Sequence, residues 1–431
     1  MNSSSSPTSF NIPDVTLSLT PSSALTTSTP PQGLEPEERG IYLIQNLITC
    51  AKHAASGDLH HADSCLRQIS KFASVDGDSL QRLAARFASA LALRLVKRWP
   101  GLYKALSCTQ RPNPEPDRAR QVFSRAFPYL GFAYAIIART LLQSMSHDGA
   151  IHIVDLGSGD SKLWVPLMRS FALVPRAPPH LRITCVHGDK TALEKLGQRL
   201  VKEAKALHMP FQYNPVNVMD LVELNIDMLK LKPGEALGFV SVLNLHVLLA
   251  EDDQVDAHFG VNKKDETVIK ECKKMGNFLA TIRSTSPKVV LLVEQEADHN
   301  LNRLVDRLVG SLNYYSAVFD SLDATFGSSS SSSYSSEDRL EIEEMFGREI
   351  ENIMACEGLE RVERHETYAR WVVRLGGGGF KPVRLWFHGS EDCKKMVEAY
   401  GKQSYKIACD KATFFICWHQ RPLYAVSAWT C

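Results

Sequence analysis

The chain has 431 residues, 44% hydrophobic and 23% charged, an ordinary globular composition with room for one large or two average domains. Its 49 basic and 48 acidic residues leave a net charge of +1, which argues against a grip on nucleic acid through bulk charge, because each phosphate contact needs a Lys or Arg. Ten cysteines include no C-x-x-C pair, which argues against a zinc finger or ribbon, and no apolar run reaches the roughly 18 residues of a membrane span.

Residues 1–35 are rich in Ser, Thr and Pro and bury too little apolar surface to offset their ordering entropy, so a disordered segment is expected there. There is no basic flank followed by an apolar core, hence no secretory signal, and an intracellular, soluble protein is expected. Cys185, Cys409 and Cys417, set in apolar runs, read as small buried hydrophobes of a reducing compartment. From Glu35 to Arg98 the apolar residues fall at helical spacing: Ile41, Ile44, Leu47, Ile48 and Ala51, then Leu66, Ile69 and Phe72, then Leu80, Leu83, Ala84, Phe87, Leu91 and Leu95. Pro100-Gly101 is expected to close this block, and a further helical stretch covers Arg118–Met145. Together these make a mainly helical cap over 36–147.

After Gly149 the rhythm changes. Apolar β-branched runs at Ile151–Leu156, Leu181–Val186, Ala236–Leu243 and Lys288–Val293, with a weaker one near Phe211, alternate with helices expected at Lys162–Leu173, Lys190–His208, Asp265–Ser286 and Asn300–Asp320. Continuous apolar strands between helices predict a parallel sheet covered on both faces. The Ser run at 328–333, extended to 336, and Gly376–Gly379 read as loops. Tyr405–Cys409, Thr413–Trp418 and Tyr424–Trp429 follow with connections short enough for an antiparallel meander. The predicted class is therefore α/β: a Rossmann-like, methyltransferase-type, mostly parallel sheet over 148–431 with an antiparallel C-terminal edge, under the N-terminal helical cap.

The sharpest chemical signal is Ile151-His152-Ile153-Val154-Asp155-Leu156-Gly157-Ser158-Gly159. An apolar strand runs into Asp-x-Gly-x-Gly, where glycines admit a ligand to the backbone and the acid bonds a hydroxyl or amine. Asp155, Gly157 and Gly159 are thus candidate cofactor-binding residues, of the kind that hold S-adenosylmethionine, with Asp189 a candidate for the ribose. A third glycine is missing, and the favoured reading is a tight strand-to-helix turn with a vestigial pocket. Gly77-Asp78-Ser79-Leu80 spells a lipase-like tetrapeptide, but no strand precedes it, and Asp78 or Ser79 reads as a helix cap. The fourteen histidines are dispersed, and the adjacent pair His60-His61 points about 100° apart on a helix, so no metal site is expected. Leu245-His246-Val247-Leu248-Leu249 is an L-x-x-L-L that either docks a partner or packs on the sheet, the latter favoured. Leu43 falls off the first helical stripe. A spare apolar face on the cap, carrying Leu43, Leu47, Leu66, Leu83 and Leu91, is a candidate partner surface.

The order of these features resembles the GRAS family of plant regulators. The leucine-rich block at 41–98 is similar to the family's first leucine-rich region, and about 190–230 to its second. Ile151-His152-Ile153-Val154-Asp155 resembles the V-H-I-I-D block. Tyr314–Leu322 with Phe346-Gly347-Arg348-Glu349-Ile350 resembles the P-F-Y-R-E region, continued by Cys356-Glu357-Gly358 and Arg361-Val362-Glu363-Arg364-His365-Glu366. Ser427-Ala428-Trp429 matches the closing S-A-W signature. Five blocks in order, over about 36–431, are far more specific than any one motif. The stretches Glu38–Ile44, Trp99–Leu106 and Arg421–Trp429 point to the Scarecrow-like branch, and no Asp-Glu-Leu-Leu-Ala stretch is present.

The resemblance implies a nuclear transcriptional co-regulator, without catalysis or resident cofactor, that reaches DNA indirectly. It implies partners among indeterminate-domain-type zinc-finger factors and other GRAS proteins, DELLA-type included, and a role in gibberellin response and root development; homo- or heterodimerisation stays open. His152, Asp155, Arg348, Glu349 and Trp429 are its implied structural motif residues. The chain departs from the family after Asp155: Leu156-Gly157-Ser158-Gly159-Asp160-Ser161-Lys162-Leu163-Trp164 keeps only the Trp and looks more like a cofactor loop. The alternatives are therefore an S-adenosylmethionine-binding protein or methyltransferase, and a direct DNA binder.

Overall fold

The computed structural model describes residues 35–107, 116–175, 177–251, 271–327, 334–386, 395–397, 404–410 and 412–431. Nearly all of the N-terminal Ser/Thr/Pro segment, the start of the helix expected from Asp265, and Ser328–Ser333 lie outside the described residues.

The cap opens with α1 (Pro36–Ser56), α2 (Leu59–Ile69) and α3 (Ser79–Val96). Each begins where the sequence supplies a start signal. Pro36 stands in the first turn of α1, Asp58 caps α2, and Asp78 with Gln81 makes a reciprocal capping box on α3. The lipase-like tetrapeptide is that cap. Pro100 does not close the block as expected but starts a short helix, α4 (Pro100–Ser107), since proline's fixed φ and missing N–H suit a first turn. Helices α5 (Pro116–Ala126) and α6 (Pro128–Met145) follow.

The α/β part contains β1 (Ala150–Leu156), α7 (Ser161–Ala172), β2 (His180–His187), α8 (Lys190–Ala206), β3 (Phe211–Asn217), β4 (Ala236–Val242), α9 (Lys273–Ser284) and β5 (Val289–Gln295). It continues through α10 (Leu304–Phe326), α11 (Ser336–Ala355), α12 (Tyr368–Gly377), β6 (Lys381–Val383), β7 (Tyr405–Asp410), β8 (Thr413–Trp418) and β9 (Arg421–Thr430). The strand order is β3-β2-β1-β4-β5-β9-β8-β7, with β6 also on β9. The first five strands are parallel, and β9, β8, β7 and β6 join antiparallel. This is the expected Rossmann-like sheet with its antiparallel edge. Two details differ. Ser335 caps α11 and Ser336 opens it, so the C-terminal end of the expected Ser loop is helix start. Gly376 and Gly377 complete α12 rather than a loop.

Side chains alternate between the two faces, as strand geometry requires. Ile151, Ile153, Leu291 and Val293 join the core that contains the cap, while Val154, Leu156, Val290, Leu292 and Trp429 join a second core with α9 and α12. The cap is completed by α10 and α11, which arrive some 250 residues later in the chain to pack on α1 and α3. A row of cations on α3 and its C-cap Lys97 meets α11 and the segment after it. Arg82 bonds Glu343, Arg86 bonds Glu344, Arg94 bonds the Met354 carbonyl and Lys97 bonds Glu360. Those positions share one helix face.

Candidate functional site

In an open α/β sheet a ligand sits beyond the carboxyl ends of the strands where the order reverses, here between β1 and β4. The Asp-x-Gly-x-Gly loop occupies that position. Gly157 has φ +104° and Gly159 φ +56°, conformations that suit glycine, and they turn the chain sharply from β1 into α7.

The loop faces its own protein rather than an open crevice. Asp155 is fully buried. Its carboxylate accepts the Ser158 amide at 2.7 Å, the Ser158 hydroxyl at 2.5 Å, the Gly159 amide at 3.2 Å and the Trp164 indole N–H at 2.8 Å. The Cys185 thiol adds a longer contact at 3.7 Å. Four donors fill the lone-pair directions a ligand would need. Burial raises the Asp155 carboxyl above the usual range, against the lowering pull of those donors, and pushes the Cys185 thiol well up. Asp189 is exposed, and one of its carboxylate oxygens caps α8 by accepting the Thr191 and Ala192 amides.

The crevice itself is filled from β4. Leu243 follows β4 at φ +53°, a costly backbone state for a branched residue, and delivers Asn244 across the switch point. Asn244 donates its amide to the Leu156 carbonyl at 3.0 Å, and a Cβ built on Gly157 would lie 2.8 Å from Asn244 Cγ. Glycine at 157 therefore makes room for a protein side chain. Nothing in the loop's sequence signals Asn244, which comes from a turn 88 residues away.

A second polar centre lies at the carboxyl end of β5, and the sequence scatter of its members hid it. Glu294 is the penultimate residue of β5, buried like the rest of the strand, and accepts the Leu245 amide at 2.8 Å. His246 sits between two carboxylates, Nδ1 to Glu294 at 2.8 Å and Nε2 to Glu363 at 3.1 Å. His365 Nε2 reaches the same Glu363 oxygen at 3.2 Å, and its Nδ1 meets His299 Nδ1 at 3.0 Å. Burial lowers His246, yet Glu294 and Glu363 overcome it and lift the imidazole to about 10. Burial and the neighbouring His246 hold His365 below its usual value, and burial with His365 holds His299 well below. Glu363 ends below the carboxylate range, because the two imidazoles outweigh burial. Next to this centre, Glu349 accepts from Gln295 at 3.0 Å and from the Tyr315 hydroxyl at 2.9 Å, and burial raises it to about 7.

The structure thus assigns the L-x-x-L-L to this centre: Leu245–Leu249 is a 3₁₀ turn with Leu245, His246, Leu248 and Leu249 buried. The leucines read as a partner face are also largely internal. Leu43, Leu47, Leu83 and Leu91 are buried in the cap core and Leu66 is half-buried against it, because α10 and α11 cover the faces that appeared spare. Among the described residues of 36–147, the exposed large hydrophobics are instead Ile41, Val75, Trp99 and Leu102.

The model of the GRAS domain family matches residues 43–430. The chain belongs to the GRAS domain family. This GRAS chain is 38% identical to Scarecrow-like protein 3 of Arabidopsis thaliana over 96% of its own length and 95% of that protein. It is 32% identical to the DELLA protein RGL1 of Arabidopsis thaliana, covering 92% of this chain and 71% of that one. Among solved structures, SCL7 of Oryza sativa superposes with a TM-score of 0.72 at 28% identity, over 90% of this chain and 99% of that one. Within the GRAS frame the motif residues sit at load points of the fold. His152 is buried on β1 with Nε2 against Thr184 at 2.8 Å. Glu349 borders the polar centre, while Arg348 lies half-buried on the same helix. Trp429 is fully buried on β9 and donates to Ser427 at 2.9 Å.

Proposed function

We propose that this GRAS protein is a nuclear transcriptional co-regulator of the Scarecrow-like type that works through protein contacts and performs no catalysis. The observation that carries the reading is the closure of the sheet's switch point by Asn244 beside an Asp155 whose acceptors are already taken. A Rossmann-like sheet closed there serves as a scaffold. Family membership supports the regulatory role, and the likeness to Scarecrow-like protein 3 and to a DELLA protein supports partners among other GRAS proteins, DELLA-type included, and indeterminate-domain-type zinc-finger factors that carry it to DNA. On that reading it acts in gibberellin response and root development. The 36–147 cap with its C-terminal completion presents the partner surface, and the buried leucines shape it from beneath. Trp99 and Leu102, each about half exposed at the start of α4, are its apolar contact points.

The test pairs two measurements on the full chain. S-adenosylmethionine titrated calorimetrically should give no saturable heat. A DELLA-type GRAS domain or an indeterminate-domain factor should be captured in a pull-down, and Trp99→Asp should weaken that capture while leaving the circular dichroism spectrum intact. Saturable S-adenosylmethionine binding abolished by Asp155→Ala would overturn the scaffold reading. Capture unaffected by Trp99→Asp would remove α4 from the interface.

A further inference from the structure

We propose that His246, Glu363 and His365 form a binding site for one divalent cation of the zinc class, which fastens the 356–368 segment to the end of the parallel sheet. The ligand atoms of the three residues all lie within 4.8 Å of one another. His246 Nε2 and His365 Nε2 stand 3.1 and 3.2 Å from one Glu363 oxygen. Zinc bonds of about 2.0–2.1 Å in a tetrahedron put neighbouring ligand atoms about 3.3 Å apart, so the two imidazole–carboxylate edges already have the length such an ion imposes, and the third lies within 4.8 Å. Imidazole and carboxylate without thiolate suit zinc among the first-row ions.

The outer contacts are those that orient metal-bound imidazoles. His246 Nδ1 is held by Glu294 at 2.8 Å, and Glu294 is itself fixed by the backbone amide of Leu245. His365 Nδ1 is held by His299, whose backbone amide also donates to the His365 carbonyl at 2.9 Å. His299 Nε2 is buried without a hydrogen-bond partner. Glu363 remains about a quarter exposed, which supplies a route in and a fourth position for solvent.

Proton balance is simple. Before binding, His246 carries two protons, one toward each glutamate. His365 donates Nε2–H to Glu363, and His299 donates Nδ1–H to His365. The ion takes the Nε2 lone pairs of both ligands and one Glu363 oxygen. His246 releases its Nε2 proton to solvent. His365 shifts to the Nδ1–H tautomer and donates to His299, which becomes the Nε2–H tautomer. One proton leaves for each ion bound, as deprotonation of ligands by metals requires.

The test uses the full chain stripped with chelator and titrated with cobalt(II) as a spectroscopic stand-in. One equivalent should bind and give visible d–d absorption of a four- or five-coordinate ion. Glu363→Gln and His365→Gln should each weaken binding at least 10-fold, and His61→Ala, at the exposed corner of the His53, Asp58 and His61 group, should leave it unchanged. Zinc X-ray absorption on the unmutated chain needs no variant to fold. A first shell of nitrogen and oxygen with two imidazoles supports the site. Sulfur in that shell, no stoichiometric cobalt binding, or binding lost with His61→Ala and kept in Glu363→Gln would overturn it.

Discussion

The Trp164 indole N–H donates to the Asp155 carboxylate at 2.8 Å, tying the first turns of α7 to the last residues of β1. An acid that looks like a cofactor ligand is thereby a structural hub. Asp155→Ala strands three strong donors in a buried site, each costing about 1–3 kcal/mol, so the loss in folding stability should be at least about 3 kcal/mol. Trp164→Phe removes one donor and keeps most of the ring volume, and should cost less. Urea denaturation of both variants checks this; an Asp155→Ala protein as stable as the parent would remove the hub.

Gly157 and Asn244 compete for one volume. A methyl at Gly157 meets Asn244 and is strained at φ +104°, so Gly157→Ala should destabilise by about 2–5 kcal/mol. In an Asn244→Gly background the steric share disappears and only the backbone share stays. A double-mutant cycle should therefore show the two substitutions coupled by about 1 kcal/mol or more. Strict additivity would mean that Asn244 does not close the crevice.

How much of this was legible in the sequence follows from where the partners come from. The apolar run Ile151–Leu156 and the glycines after it announced β1 and its turn, and Thr413–Trp418 emerged as a strand with those bounds. The use of Asp155 was half legible: the retained Trp164 stood in the first turns of the next helix, but Asn244, 88 residues from Leu156, lies on another strand's exit. The cap leucines revealed their helices and not their covers, because α10 and α11 return from the C-terminal half. Helix α11 itself had a readable stripe in Ile342, Phe346, Ile350 and Ile353, and a capping box at Ser335 and Asp338, masked by the serine run before it. His246, His299 and His365 gave no local signal at all, since chain topology alone brings them together.

Arg82 is buried at the seam of cap and core, donating to Glu343 at 2.8 Å and the Gly77 carbonyl at 2.6 Å and pairing with Asp323. Arg82→Ala leaves Glu343, itself about 1% exposed, as a buried charge short of its main partner, and should cost about 3–5 kcal/mol. Arg82→Met with Glu343→Met should cost less than the single Arg82→Ala change, because the nearly fully buried Glu343 charge is removed with its partner, and the Asp323 and Arg339 charges that lose a partner are 38% and 18% exposed. Because α1, α3, α10 and α11 share one core, the parent should unfold in a single transition by fluorescence and circular dichroism. Two separated transitions would show the cap to be an independent unit.

His152 gives the fold an acid-sensitive point. It is fully buried with Glu235 and Arg182 nearby, and burial, reinforced by the Arg182 charge, holds its pKa down at about 4. The unfolded chain takes a proton there near pH 6.5, whereas the folded chain refuses it until about 4. The stability gained from keeping His152 neutral is therefore full above pH 6.5 and is lost as pH falls toward 4. The difference amounts to about 3 kcal/mol across that window. His152→Gln keeps a polar group beside Thr184 and cannot titrate, so the gap in unfolding free energy between parent and variant should shrink by about that amount as pH falls from 7 to 4. Parallel curves for the two proteins would place the acid sensitivity of the fold elsewhere.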